Sequence, residues 1–143
     1  MSAATSVAHW LFKSEPGAFS WDDLVRVGKT GWDGVRNFQA ANNMKAMKLG
    51  DRGFFYHSVD EKRIVGIVEV VGLYRPDPSD ETGRFGMVEV KAVKPVKRPV
   101  TLADIKAEPR LRNLALVRQS RLSVVPIGAA EWKLICAMAG VSA

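Results

Sequence analysis

Residues 31–51 read Gly-Trp-Asp-Gly-Val-Arg-Asn-Phe-Gln-Ala-Ala-Asn-Asn-Met-Lys-Ala-Met-Lys-Leu-Gly-Asp, which places an indole (Trp32), a guanidinium (Arg36) and four carboxamides (Asn37, Gln39, Asn42, Asn43) within a dozen residues. Carboxamides are middling helix formers because they compete for backbone hydrogen bonds. Each carries one acceptor and two donors in a plane, the complement of a nucleobase edge. An aromatic face beside such groups is a common way of holding an unstacked base. The same residues admit a plainer reading, in which Asn37 caps a helix and the other amides are solvated.

Two further polar groups stand at strand ends, a usual address for ligand contacts. Lys13, Ser14 and Glu15 follow a short apolar run and precede Pro16-Gly17, a turn signal. His57 and Ser58 end a second run. Neighbours on a strand point to opposite faces, so a direct histidine–serine relay is not expected, and His57 is read as a hydrogen-bonding pocket residue. Phosphate-loop, dinucleotide-fold and nucleophile-elbow patterns are absent. With two histidines and one cysteine, Cys136, no internal disulfide, cysteine-rich metal site or deaminase-type zinc site can be assembled. No catalytic residue, metal or cofactor is expected.

The 143 residues suit one domain, and 47% hydrophobic with 25% charged residues is ordinary globular composition. The net charge of +6 is uneven: residues 91–121 hold nine bases against two acids, Asp104 and Glu108. A one-sided basic surface favours a polyanionic partner. Residues 1–8 lack a basic start and an apolar run, so they read as a frayed amino terminus and not a signal peptide. No stretch reaches the length of a membrane span, and the expectation is a cytoplasmic, monomeric protein.

The elements that must position these groups are read from period and punctuation. A first strand runs over 9–13, and Ser20 caps a helix buried through Leu24, Val25 and Val27. Phe38, Ala41, Met44 and Met47 mark one apolar stripe of a second helix, with Gly50 just past its end. Strands follow over 52–58, 64–74 and 87–93, the last ended by Pro95 and Pro99; Gly66 and Gly72 suggest bends or bulges. The loop 76–83 has no core content. Thr101 caps a short helix, Arg121 to Pro126 is a final strand, and residues 128–138 form a closing helix with Trp132, Ile135 and Cys136 inward. This order implies an α+β fold, a small mixed β-barrel with helices packed around its outside.

Four separated blocks, Trp10-Leu11-Phe12-Lys13-Ser14-Glu15-Pro16, Trp32-Asp33-Gly34-Val35-Arg36-Asn37, Tyr56-His57-Ser58 and Arg121-Leu122-Ser123-Val124, together resemble the signature of the EVE domain over nearly the whole chain. Ala41 departs from the pattern, standing where an arginine often precedes the paired asparagines. The resemblance implies a PUA-like barrel, related to the YTH and ASCH domains, spanning 9–143. It also implies a reader of modified bases in DNA or RNA. It places Lys13 and Ser14, Trp32, and His57 with Ser58 around one pocket, with Phe85 or Tyr74 as a second wall.

The expected ligand-binding set is therefore Lys13, Ser14, Glu15, Trp32, Arg36, Asn37, Asn42, Asn43, His57, Ser58, Phe85, Arg121 and Ser123. Trp32 would stack on the base, Asn37, Asn42, His57 and Ser58 would read its edge, and Lys13, Arg36 and Arg121 would offset phosphate charge. Glu15 would orient Arg36 or Arg121. The alternatives are a module binding a protein or small metabolite, and an enzyme acting on a base or nucleotide.

Overall fold

The computed structural model describes residues 8–143. Six strands, β1 (His9–Ser14), β2 (Lys29–Gly31), β3 (Arg52–His57), β4 (Arg63–Pro76), β5 (Gly86–Thr101) and β6 (Val124–Ile127), form one mixed sheet in the order β2-β5-β4-β3-β1-β6. Only β1 and β3 run parallel; β1–β6, β3–β4, β4–β5 and β2–β5 are antiparallel. Helices α1 (Trp21–Val27), α2 (Phe38–Lys45), α3 (Leu102–Ala107), α4 (Ala115–Arg118) and α5 (Ala129–Ala139) pack around it. The sheet is barrel-like but unclosed, with β2 and β6 as its edges.

The parallel pair β1–β3 is the middle of the core, because a strand covered on both faces reads as an unbroken apolar run. Phe54 and Phe55 are adjacent and wholly buried, so they serve opposite faces. Phe54 stacks on Trp132 of α5 at 4.1 Å, and Trp132 stacks in turn on His9 at 4.4 Å. Phe55 meets the edges of Trp21 and Trp32 at 5.5 and 5.6 Å on the other side. Asp51, just before β3, is a buried carboxylate that accepts from the Trp10 indole N–H (3.0 Å), the Lys48 amide (3.0 Å) and the Ala8 amide (3.3 Å). Of the frayed start expected over residues 1–8, residues 1–7 lie outside the described residues, and the Ala8 amide is bonded to Asp51.

Most local signals operate as read. Ser20 and Thr101 close capping boxes with Asp23 and Asp104, and Asn37 caps α2. The β4–β5 pairing shifts register at Gly66 and at Gly72. Three expectations need correction. Val25 and Val27 are each 54% exposed, because a seven-residue helix has one narrow inner face and Trp21 and Leu24 fill it. Phe38 is exposed although Ala41, Met44 and Met47 of its stripe are buried. Strand β5 does not end at its prolines. Its pairing with β4 steps from Gly66–Pro95 to Ile64–Val100, so residues 96–99, Pro99 among them, bulge out of register. β2 pairs only with residues 89–91, leaving the rest of β5 an edge where a missing amide is tolerated.

Gly66 of β4 lies directly against the Trp21 indole of α1. A Cβ there would stand 2.4 Å from the Trp21 ring, whose edge packs on Phe55. Gly66→Ala must displace that indole and the first turn of α1, and is expected to cost about 1–3 kcal/mol by overpacking. Chemical denaturation of the variant checks this; an unchanged midpoint would show that the indole moves freely.

Candidate functional site

A cavity of about 630 Å³ opens where the end of β1 faces the end of β2. One side is Lys13, Ser14 and Glu15 with Ala18 and Phe19 from the following loop, and the other is Thr30, Gly31, Trp32 and Asp33. In the sheet order β2 is one edge and β1 lies beside the other. Their meeting around one hollow shows how far the sheet curls.

Trp32 is 8% exposed. Its ring meets Phe12 edge-on at 5.2 Å and Phe55 at 5.6 Å, and its amide donates to the Val88 carbonyl at 2.7 Å. Trp32 is thus a core residue that also lines the cavity, its indole held by packing against Phe12 and Phe55. A rigid aromatic surface of this kind loses little entropy when a flat ligand covers it.

The polar groups around it have unequal freedom. The Lys13 ammonium donates to the Ser120 carbonyl at 2.9 Å and lies 6.0 Å from the centre of the Tyr56 ring. Burial lowers its pKa from the ordinary lysine value, and two of its three protons are not used by the Ser120 bond. The Ser14 hydroxyl donates to the Phe19 carbonyl, which leaves its oxygen as an acceptor. The Glu15 carbonyl accepts from the Ala18 and Phe19 amides, both at 2.9 Å, and this turn sets Phe19 at the cavity. The Glu15 carboxylate makes no ion pair among the described residues.

Sequence reasoning does not pick out Ala18, Phe19, Thr30, Gly31 or Asp33 as lining. Phe19 precedes a helix cap, where an apolar residue ordinarily packs back on the helix, so its setting carries no mark of a cavity wall. Thr30 and Asp33 flank the Gly31-Trp32 pair, and nearness to the indole was the available signal.

The other anticipated residues lie elsewhere. His57 is buried, and its Nε2 accepts the Trp21 amide (3.0 Å) while Nδ1 donates to Glu61 (2.8 Å). The ring thereby satisfies one of the free amides at the start of α1 and has no nitrogen left for a ligand. The hydrogen bond from His57, followed by that from Arg63, holds the Glu61 carboxyl below its ordinary pKa. Ser58 follows β3, its amide donating to the Ser14 carbonyl at 2.9 Å, and the Ser123 carbonyl accepts the Lys13 amide at 2.9 Å. Asn43 donates to the Val124 carbonyl at 2.8 Å, fastening α2 to β6, and Asn42 is exposed on α2.

Arg36 and Phe85 form a separate cluster with the 76–86 loop. Arg36 donates to Asp77 and to the Ser79 hydroxyl, both at 3.1 Å, and lies 5.8 Å above Phe85, whose ring packs on Phe38 at 4.9 Å. Tyr74 is likewise occupied, its hydroxyl accepting the Gly86 amide at 2.7 Å. Neither Phe85 nor Tyr74 lines the Trp32 cavity. Arg36 takes Asp77 as its partner, and Glu15 orients neither Arg36 nor Arg121.

Asp77 itself corrects the view of this loop as empty of core content: it is 3% exposed. Its carboxylate accepts from the Ser79 amide and hydroxyl (both 2.7 Å), the Gly34 amide (2.8 Å) and Arg36 (3.1 Å). Burial alone would raise its pKa, but these bonds bring it down to about 2. Gly34, at φ +78°, makes the bend that delivers its amide.

Asn37 and Arg121 share a second hollow, of about 300 Å³, with Gln39, Arg118, Gln119 and Ser120. The lone thiol, Cys136, is sealed in α5, and burial pushes its pKa up to about 11. No helix among the described residues is long and apolar enough to cross a membrane.

Residues 8–138 match the model of the EVE domain. Among proteins of known sequence, human thymocyte nuclear protein 1 is 33% identical, the alignment covering 92% of this chain and 73% of the human protein. Among solved structures, Rpa0253 from Rhodopseudomonas palustris is 54% identical with a TM-score of 0.88, covering 94% of each chain. The human THYN1 protein in complex with 5-methylcytosine-containing DNA is 34% identical with a TM-score of 0.85, over 95% of this chain and 99% of that one. An ASCH protein from Zymomonas mobilis, 11% identical, shares the fold at a TM-score of 0.57 over 94% of this chain and 98% of that one.

Proposed function

The chain belongs to the EVE domain family, and from that premise we propose that it is a non-catalytic DNA-binding module that holds a modified base, 5-methylcytosine in the first instance, in the cavity walled by Trp32. The observation that carries this reading is an indole fixed at the wall of a cavity large enough for a base, with an ammonium and a hydroxyl oxygen beside it. A relative of the same fold has been seen with DNA containing that base.

The chemistry is complementary. A cytosine edge presents one amino donor and two acceptors. Lys13 has protons for the acceptors; Ser14 Oγ and the Asp33 carboxylate can receive the amino group. Extruding a base costs a few kcal/mol, and stacking on an aromatic ring returns on the order of 1–3 kcal/mol per base. A methyl group filling an apolar corner adds about 1–3 kcal/mol, so discrimination rests on fit more than on any one bond. His57, the obvious candidate for a general base, has both nitrogens engaged, which supports binding without turnover.

Titration of matched oligonucleotides carrying 5-methylcytosine or cytosine, as DNA and as RNA, tests the reading by fluorescence anisotropy. The methylated DNA is expected to bind about tenfold or more tightly than its unmodified match. Equal affinity for both would remove the modified base from the account, and tighter binding of the RNA would move the function to that polymer.

A further inference from the structure

The 300 Å³ hollow beside α2 is lined by polar residues together with Leu122. Arg118 and Arg121 bring two guanidinium groups, and neither makes an ion pair among the described residues; Arg118 donates to Asn113 at 2.8 Å. Asn37 Oδ1 is spent on the Ala40 amide at 2.9 Å, so what that carboxamide retains is its pair of N–H donors. Gln39 adds another such pair, and among the described residues no carboxylate lines the hollow. Arginine forks and amide donors without a counter-charge suit an anion whose oxygens lie in more than one direction.

The hollow has a fixed relation to the base cavity. Lys13 lines the cavity, Ser120 lines the hollow, and the 2.9 Å bond from the Lys13 ammonium to the Ser120 carbonyl joins the two linings. A strand with one base extruded must carry its backbone past the mouth of the base site, and phosphate contacts of this kind set the register of a protein on nucleic acid.

We infer that the Arg118–Arg121 hollow is the seat of a DNA phosphodiester next to the extruded nucleotide, with Asn37 and Gln39 as neutral donors and the Lys13–Ser120 bond coupling it to the base cavity. The inference rests on the function proposed above. It adds a division of labour: the cavity reads the modification, and the hollow supplies affinity blind to it.

The test compares wild-type protein with R118Q/R121Q and with K106Q/R112Q, which removes the same charge from exposed positions outside the hollow. Each is titrated with methylated and unmethylated DNA across a salt series, with thermal melts to show that the exposed substitutions leave the fold intact. R118Q/R121Q is expected to weaken both DNAs about tenfold, to leave their affinity ratio unchanged, and to flatten the slope of log affinity against log salt by about one. K106Q/R112Q should change the slope by less than half as much. An unaltered slope in R118Q/R121Q, or an equal loss in K106Q/R112Q, would overturn the phosphate seat while leaving the base reading standing. A wild-type protein that ignores DNA at low salt would sink both.

Discussion

Trp32→Ala is expected to abolish selective binding of methylated DNA, with affinity falling between about 10- and 100-fold, since one stacked base contributes on the order of 1–3 kcal/mol. The same substitution removes a core ring wedged against Phe12 and Phe55, so folding stability should fall by about 3–5 kcal/mol. The two effects separate with Trp32→Phe. A phenyl ring keeps an aromatic face at the cavity while forfeiting part of the indole's volume, so binding should recover further toward wild type than stability does. Affinity by anisotropy and stability by denaturation, measured on both variants, check the pair. If Trp32→Phe binds no better than a folded Trp32→Ala, the aromatic face has no part in recognition.

Asp77→Ala should be the most damaging change in the loop between β4 and β5. It strands the Gly34 and Ser79 amides and leaves Arg36 without its partner. Removing one partner of a buried, hydrogen-bonded charge costs about 3 kcal/mol or more. Gly34 is two residues from Trp32, so the loss should also loosen the wall of the cavity and weaken DNA binding. The pH dependence carries a sign. Asp77 has a folded pKa of about 2, below its ordinary value of 3.8. Its contribution is therefore fully present above about pH 4 and is lost as pH falls toward 2. The stability gap between wild type and Asp77→Asn should be flat at neutral pH and narrow across that acid window. A gap that stays constant down to pH 2 would show that the carboxylate is not held ionised by these bonds.

Five of the six strands were legible because apolar, β-branched runs and glycine breaks are local; β2 was not, since Lys29-Thr30-Gly31 is three residues long with no apolar run. The far end of β5 was not, since Pro95 and Pro99 read as terminators until their place on an irregular edge is known. The site was legible in part. Trp32 stood out through its glycine neighbours, and Lys13 and Ser14 through their position at a strand end. The carboxamides were opaque for a physical reason: an amide offers the same donors and acceptor to a helix cap, a strand or a ligand. Asn37 spends its oxygen on a cap and Asn43 its nitrogen on β6, and only the fold decides which. His57 misleads in the same way, its partners Trp21 and Glu61 lying 36 and 4 residues away in sequence. Asp77 sits in Pro-Asp-Pro-Ser, where any reading favours a solvated turn, and two of its partners, the Gly34 amide and Arg36, lie some forty residues earlier.

The location of the base is the point on which the account turns, and nitrogen-15 NMR of the wild-type protein reads it directly. Four indole N–H resonances report Trp10, Trp21, Trp32 and Trp132. Titration with a methylated oligonucleotide should shift the Trp32 indole together with the amides of Lys13, Ser14, Thr30 and Gly31, and leave the Trp10 and Trp132 indoles in place. Saturable binding that leaves the Trp32 indole and these amides unmoved would put the base elsewhere on the molecule and contradict the account.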